Sequence, residues 1–269
     1  MEVTADKFIE ETSSRQITLR GKGTFPLELY REDTPIRAVL SYAKNSEIDF
    51  IAKTATSFLH PNENHYYQTL QSSYRKYSFL LGRYTGKMAL SHYLDEPRQM
   101  DIEIAHGIFS QPLVKYASLD IIPEITLSHT SSIAVAIAYE PGYIMGVDVE
   151  KLEPSKFSIF KSQMTEAEIG LSKCFLNIDC GVIWNLLWTM KEALSKAIKC
   201  GLTVPFELLE IQRLSQDPSA RFEASFKNFT QYRCYSWILP GFALSIVLPR
   251  NTSLRLDLDT SFRGPATAA

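Results

Sequence analysis

Apolar residues recur along the chain with two different periods. Ile183, Leu187, Met190, Leu194 and Ala197 step by four and three, which predicts an amphipathic helix over residues 183–199, ended near Gly201. Residues 66–93 carry Tyr74, Tyr77, Leu81, Tyr84, Met88 and Ser91 at the same steps and read as one long helix with a cationic side. Thr165-Glu166-Ala167-Glu168 has capping-box spacing and should open a further helix. The run Ile133-Ala134-Val135-Ala136-Ile137-Ala138-Tyr139 instead alternates large with small. Both of its faces are apolar, as in a strand covered on both sides. Glu140-Pro141-Gly142 is a turn signal, so residues 125–150 read as a β-hairpin whose second strand is 143–150. Strand-like stretches follow at 210–214, 220–226, 232–238 and 242–248. Helices and strands are mixed without strict alternation, which predicts an α+β fold.

The chain has 269 residues, enough for one large domain or two small ones. The expected organisation is a polar leader over 1–20, an N-terminal half over 21–124, a C-terminal half over 125–250 and a tail over 251–269, fraying from Thr260. Lys+Arg 28 against Asp+Glu 30 argues against a nucleic-acid partner held by net positive charge. No apolar run approaches the ~18 residues of a membrane span, and the start of the chain resembles no secretory signal, so a cytoplasmic location is expected. Cys174, Cys180, Cys200 and Cys234 form no C-x-x-C pair and read as scattered reduced thiols.

Chemistry enters at Gly146-Val147-Asp148-Val149-Glu150. Strand alternation puts Asp148 and Glu150 on one face, about 7 Å apart, and Val147 and Val149 on the other. Two such acids can converge on a hard cation. Alone, a D-x-E pair is more often two exposed strand-end acids. On the 183–199 helix, Trp188, Glu192 and Lys196 step by four, about opposite the apolar stripe. Such a Glu–Lys pair can be an ordinary surface contact, but a tryptophan in the same row suggests a covered face. Glu192 can complete a three-carboxylate site with Asp148 and Glu150, and Lys196 can then meet an anion. Leu127-Ser128-His129-Thr130, before the apolar run, places a histidine between hydroxyls where it can donate to a phosphate.

G-V-D-V-E-K followed about forty residues later by W-T-M-K-E-A-L-S-K resembles the two signature motifs of the 4′-phosphopantetheinyl transferases, in particular the large monomeric Sfp-type class. L-S-H-T looks like that class's Ser-His element, and Ser78-Phe79-Leu80-Leu81-Gly82-Arg83 is similar to its N-terminal F-L-x-G-R helix. The resemblance spans roughly residues 60–250. It implies two similar α/β halves related by pseudo-twofold symmetry, with the active site in the cleft between them. It also implies a holo-[acyl-carrier-protein] synthase type of reaction, in which phosphopantetheine moves from coenzyme A to a serine of an acyl or peptidyl carrier protein and 3′,5′-ADP leaves. By motif position, Asp148, Glu150 and Glu192 would be ligands of Mg²⁺ or Mn²⁺. Glu192 would also take the serine proton, and Lys196 and His129 would act on the phosphates. Arg75, Lys76, Arg83, Ser128 and Lys191 would be further coenzyme A contacts. One departure is that Phe109-Ser110-Gln111-Pro112 stands where many relatives carry Gly-Lys-Pro.

Two other classes can use the same residues. Acids plus a lysine on a helix can build a metal-dependent phosphodiesterase or nuclease, which the absence of a basic tract disfavours. A non-catalytic coenzyme A-binding, carrier-docking protein is disfavoured because Asp148, Glu150, Glu192 and Lys196 all stand in place.

Overall fold

The computed structural model describes residues 21–256. The leader expected over 1–20 and the fraying end of the tail lie outside the described residues. The fold is α+β and divides into two compact units, one of residues 145–250 and one of the described residues before and after them.

In the first unit the strands β1 (Lys22–Pro26), β2 (Glu28–Arg31), β3 (Thr34–Ile36) and β4 (Ala38–Lys44) precede the helices α1 (Ile48–Lys53), α2 (Ala55–Phe58), α3 (Pro61–Thr69) and α4 (Ser73–Leu94). The short strands β5 (Glu103–His106) and β6 (Pro112–Lys115) then pair, followed by the hairpin of β7 (Glu124–His129) and β8 (Ile133–Tyr139). The main sheet is antiparallel in the order β1-β4-β8-β7. Every residue of β8 is buried, as its double apolar face requires. Ala134, Ala136 and Ala138 share core clusters with Leu80, Leu81, Ala89 and Leu90 of α4, and their small side chains let the helix lie close on the sheet.

The helix expected over 66–93 is two helices. Leu70 and Ser72 are extended, with ψ of 128° and 127°, and separate α3 from α4. Pro61 at the first position and a capping box between His60 and Glu63 start α3.

The second unit contains β9 (Gly146–Lys151), the helices α5 (Phe157–Ser162), α6 (Glu166–Ser172) and α7 (Cys180–Ala197), and the strands β10 (Ile211–Gln216), β11 (Phe222–Phe226), β12 (Tyr232–Leu239) and β13 (Phe242–Pro249). β14 (Thr252–Arg255) returns to the first unit and pairs with β2 in a sheet of order β14-β2-β3. The second sheet is antiparallel in the order β10-β11-β12-β13-β9. The predicted stripe of α7 is its core face: Ile183, Leu187, Met190 and Leu194 are fully buried against Phe222, Ala224, Phe226 and Cys234. Each such aliphatic side chain contributes about 1.5–3 kcal/mol of burial. Thr165 and Glu168 form the predicted capping box at the start of α6.

The hairpin expected over 125–150 is resolved differently. β8 pairs with β7 and β4, whereas β9 pairs with β13 in the other sheet. The first hairpin therefore belongs with the N-terminal elements, and the chain enters the second unit at Met145. Gly146 fixes β9 beneath α7. A Cβ there would lie 2.0 Å from the Ala193 carbonyl oxygen, so only glycine permits this approach.

Candidate functional site

β9 and α7 bring the motif acids of the second unit together. Asp148 stands in β9 opposite Ser245 of β13 and is nearly buried. Lys196, near the end of α7, donates from Nζ to Asp148 Oδ1 at 2.6 Å. Glu192, one turn earlier, feels the negative charge of both Asp148 and Glu150. Burial first, then Asp148, pushes the Glu192 carboxyl up to about 7, against the pull of Lys196. Burial and Asp148 also raise Glu150, opposed by Lys156 and Lys196. The row Trp184, Trp188, Glu192 and Lys196 is the least buried face of α7. Trp188 does not lie bare there: it stacks on Phe206, with centroids 4.6 Å apart, and tilts against Phe160 at 5.3 Å.

Among the described residues, no three His, Cys, Asp or Glu side chains stand at metal-ligand spacing. Lys196 occupies the Asp148 oxygen instead. The chemistry of the donor set still suits a hard divalent cation. Asp148 raises the proton affinity of Glu150 and of Glu192, Glu150 adds to the effect on Glu192, and a bound dication would relieve that repulsion with the oxygen ligands it prefers.

Lys191 belongs elsewhere. It is fully buried and donates to Glu168 Oε2 at 2.7 Å and to the Gln163 carbonyl at 3.2 Å. That leaves it no reach toward a bound phosphate, because α7 turns it into the core, away from the Glu192 face. Lys156 lies within electrostatic reach of Glu150. The loop between β9 and α5 brings it there, and no local sequence pattern announces this.

A second group of predicted residues gathers in the first unit. His129 ends β7 and is exposed, while Ser128 beside it is buried. Ser78 Oγ of α4 lies 3.4 Å from both ring nitrogens of His129. Gly82, one turn further, faces the same ring: a Cβ there would stand 3.4 Å from His129 Cδ2, an ordinary contact. Arg75 and Lys76 stand in the first turn of α4. Arg75 is exposed, and the Lys76 ammonium lies 5.6 Å from the centre of the Tyr67 ring. Arg83 is turned inward. It lies 3.5 Å from Glu63, donates to His106 Nε2 at 2.9 Å, and is 6% exposed, so it is not the open cation expected for a phosphate. Burial and Arg83 hold the His106 imidazole below its usual range. Gly107 to Gln111, the loop without the Gly-Lys-Pro lysine, is closed by Gly107 N–H donating to the Gln111 carbonyl at 2.7 Å.

The family model described as "4′-phosphopantetheinyl transferase superfamily" matches residues 144–247, nearly the whole second unit and less than half of the chain. This match supports phosphopantetheinyl transfer as the general class of reaction. A search of the curated proteins finds no match. Solved structures similar to this chain include a holo-(acyl-carrier-protein) synthase from Bacillus anthracis in complex with CoA (3′,5′-ADP). It is 20% identical, covers 43% of this chain and 97% of its own, and has a TM-score of 0.35. The holo-ACP synthase of Plasmodium yoelii is 16% identical over 46% of this chain and 94% of its own, with a TM-score of 0.32. That of Thermotoga maritima is 20% identical over 51% and 72%, with a TM-score of 0.28. No described helix is long and apolar enough to cross a membrane.

Proposed function

We propose that this protein is an Sfp-type phosphopantetheinyl transferase, acting as a cytoplasmic monomer on coenzyme A and an apo acyl or peptidyl carrier protein. The observation that carries the reading is the meeting of Asp148, Glu150, Glu192 and Lys196 on one strand and one helix face, inside the stretch that the family model matches. The serine oxygen of the carrier attacks the phosphorus that bears pantetheine. A new P–O bond forms, the bond to the remaining phosphate of coenzyme A breaks, and 3′,5′-ADP leaves. Positioning and charge stabilisation dominate such a transfer.

Asp148, Glu150 and Glu192 would hold Mg²⁺ or Mn²⁺, which when bound supplies charge neutralisation across the pyrophosphate. Glu192 also takes the serine proton, directly or through water, the role its motif position implies. Lys196, held beside the acids by Asp148, presents a cation to the leaving phosphate. His129, with Ser128, binds a coenzyme A phosphate, and Arg75 and Lys76 serve the 3′-phosphate end. Arg83 and Lys191 support these elements from inside the protein.

Incubation with coenzyme A, Mg²⁺ and an apo carrier, followed by intact-mass analysis of the carrier, tests the reading. The expected result is a gain of one phosphopantetheine group that depends on all three additions. A carrier that stays unmodified under these conditions overturns it.

A further inference from the structure

On the face of the second sheet turned away from α7, at the edge strand β10, lies a pocket of about 340 Å³. Register fixes its floor. Arg213 of β10 is paired with Ser225 of β11, and Ser225 is paired with Arg233 of β12. Directly paired side chains share a face, so the three form a row across three strands. The alternate residues Leu214, Ala224 and Cys234 face the other way and join the core beneath α7. Ser215 and Glu223 are paired on the pocket side, and Thr230 and Arg250 also line it, with Gln212, Ala224, Phe226 and Tyr232. The Arg250 backbone N–H donates to the Gln231 carbonyl at 2.8 Å, which anchors that residue at the start of β12.

The charges in this pocket do not balance. Arg233 lies 3.2 Å from Glu223 and donates to Tyr235 Oη at 2.9 Å. Among the described residues, no carboxylate stands within ion-pair distance of Arg213 or Arg250. Three arginines thus face one carboxylate, in a chain whose formal charge is -2. Arg213 and Arg233 stand two strands apart on one face with only the Ser225 hydroxyl between them, so an anion seated there meets both guanidiniums. The guanidinium fork fits phosphoryl oxygens bidentately, and the hydroxyls of Ser215, Ser225 and Thr230 add donors. The volume lies in the range of small-molecule sites.

We propose that this pocket is a binding site for a small phosphorylated anion, separate from the acid constellation. β9, which carries Asp148 and Glu150, is the opposite edge of the same sheet, about 19 Å away at ~4.8 Å per strand, and Asp148 faces α7 rather than the pocket. The assignment does not rest on the transfer reaction and stands or falls independently of it.

The test follows backbone amide resonances of the full chain during titration with sodium pyrophosphate at constant ionic strength, with citrate as a parallel carboxylate probe. Pyrophosphate is expected to shift Arg213, Ser225 and Arg233 saturably, and to do so more tightly than citrate. Arg213→Gln with Arg250→Gln should weaken that binding about tenfold or more, the scale of lost charge-assisted hydrogen bonds. Both residues are exposed, so the fold persists, which a thermal melt checks. Arg213→Lys with Arg250→Lys keeps the charge without the fork and should also weaken binding. Absence of saturable shifts on this face, unchanged affinity in either double variant, or citrate binding as tightly as pyrophosphate overturns the proposal.

Discussion

Lys191 Nζ donates to Glu168 Oε2 at 2.7 Å with both side chains fully buried, and Lys87 meets Glu63 Oε2 at 2.8 Å in the other unit. The surroundings repeat as well. Glu168 closes the capping box of α6 and accepts the Ile211 N–H of β10 at 2.9 Å. Glu63 closes that of α3 and accepts the Ile104 N–H of β5 at 2.8 Å. Each lysine also donates to backbone carbonyls: Gln163 for Lys191, and Gln99 and Ile102 for Lys87. In each unit, one glutamate ties a helix start, a strand and the long helix together.

Removing one partner of such a clasp strands a buried charge. Lys191→Met should lower the unfolding free energy by about 3–5 kcal/mol, and Lys87→Met by less, because Arg83 stays 3.5 Å from Glu63. Glu168→Gln combined with Lys191→Met should cost less than the sum of the two single changes, because the double variant leaves no ion behind. Urea denaturation of the four proteins measures this. Strict additivity at the Glu168–Lys191 pair would show that the contact does not couple them.

The acids make the opposite prediction, loss of activity without loss of fold. Asp148→Asn and Glu192→Gln should each reduce carrier modification by at least ~10²–10³-fold, the scale of a lost preorganised charge contact. Both variants should remain folded, with native-like circular dichroism, because neither side chain belongs to the apolar core of α7. A folded variant retaining most of the activity would sink the assignment of that residue.

Glu192 also sets a pH dependence of stability. Burial and Asp148 raise its carboxyl from about 4.5 to about 7, so the folded protein binds this proton more tightly than the unfolded chain does. The stabilisation is complete below the unfolded value and is lost as pH rises through 7. Glu192→Gln removes the effect, so the variant should gain stability relative to the wild type between pH 5 and 8. At pH 8, Mg²⁺ should raise the melting temperature of the wild type but not that of Asp148→Asn with Glu192→Gln. A stability difference that shrinks with rising pH contradicts this sign.

The basic start of α4 predicts discrimination at the far end of coenzyme A. Arg75→Glu with Lys76→Glu should weaken binding of coenzyme A more than that of dephospho-coenzyme A, by calorimetry at low salt. His129→Ala should weaken both equally, by about tenfold, as loss of one charge-assisted hydrogen bond implies. Equal affinity of the wild type for the two ligands removes the 3′-phosphate role from Arg75 and Lys76.

The residues that sequence reading identified are those with local signals. Alternation placed Asp148 and Glu150 on one face, the 3.6-residue period placed Glu192 opposite the Leu187 stripe, and Thr165–Glu168 spacing marked a helix start. What local pattern does not encode is the third partner. Glu168 finds Lys191 twenty-three residues on because α6 packs against both α7 and β10, so Lys191 reads as a free cation in the sequence. The break at Leu70–Ser72 carries no proline or glycine, and the tyrosine period runs straight through it. Glu140-Pro141-Gly142 is a sound turn, yet β9 leaves for another sheet because Gly146 must sit beneath Ala193 and Ala197.

Carrier docking gives the last prediction, on α5. Of its two aromatics, Phe160 is core, buried against Trp188, and Phe157 packs beside Gly181. The exposed apolar group is Ile159, 57% accessible, between Lys156 and Lys161. That combination offers apolar burial for affinity and cations for orienting an acidic carrier. The two lysines are not equivalent. Lys156 pairs with Glu153 at 2.8 Å and also acts on Glu150, so reversing it disturbs the acids as well as the surface. Lys161 lies 5.0 Å over the Trp184 ring and has no such link to the acids, which makes it the cleaner probe. Lys161→Glu should raise the carrier KM several-fold at low salt, about 0.2–1 kcal/mol for a rim charge, with kcat and the coenzyme A KM unchanged. The difference should narrow as salt is added. Lys156→Glu should raise the carrier KM and lower kcat together. Ile159→Ala should raise the carrier KM at every salt concentration, since apolar burial is not screened. A carrier KM unmoved by both Lys161→Glu and Ile159→Ala takes α5 off the docking surface.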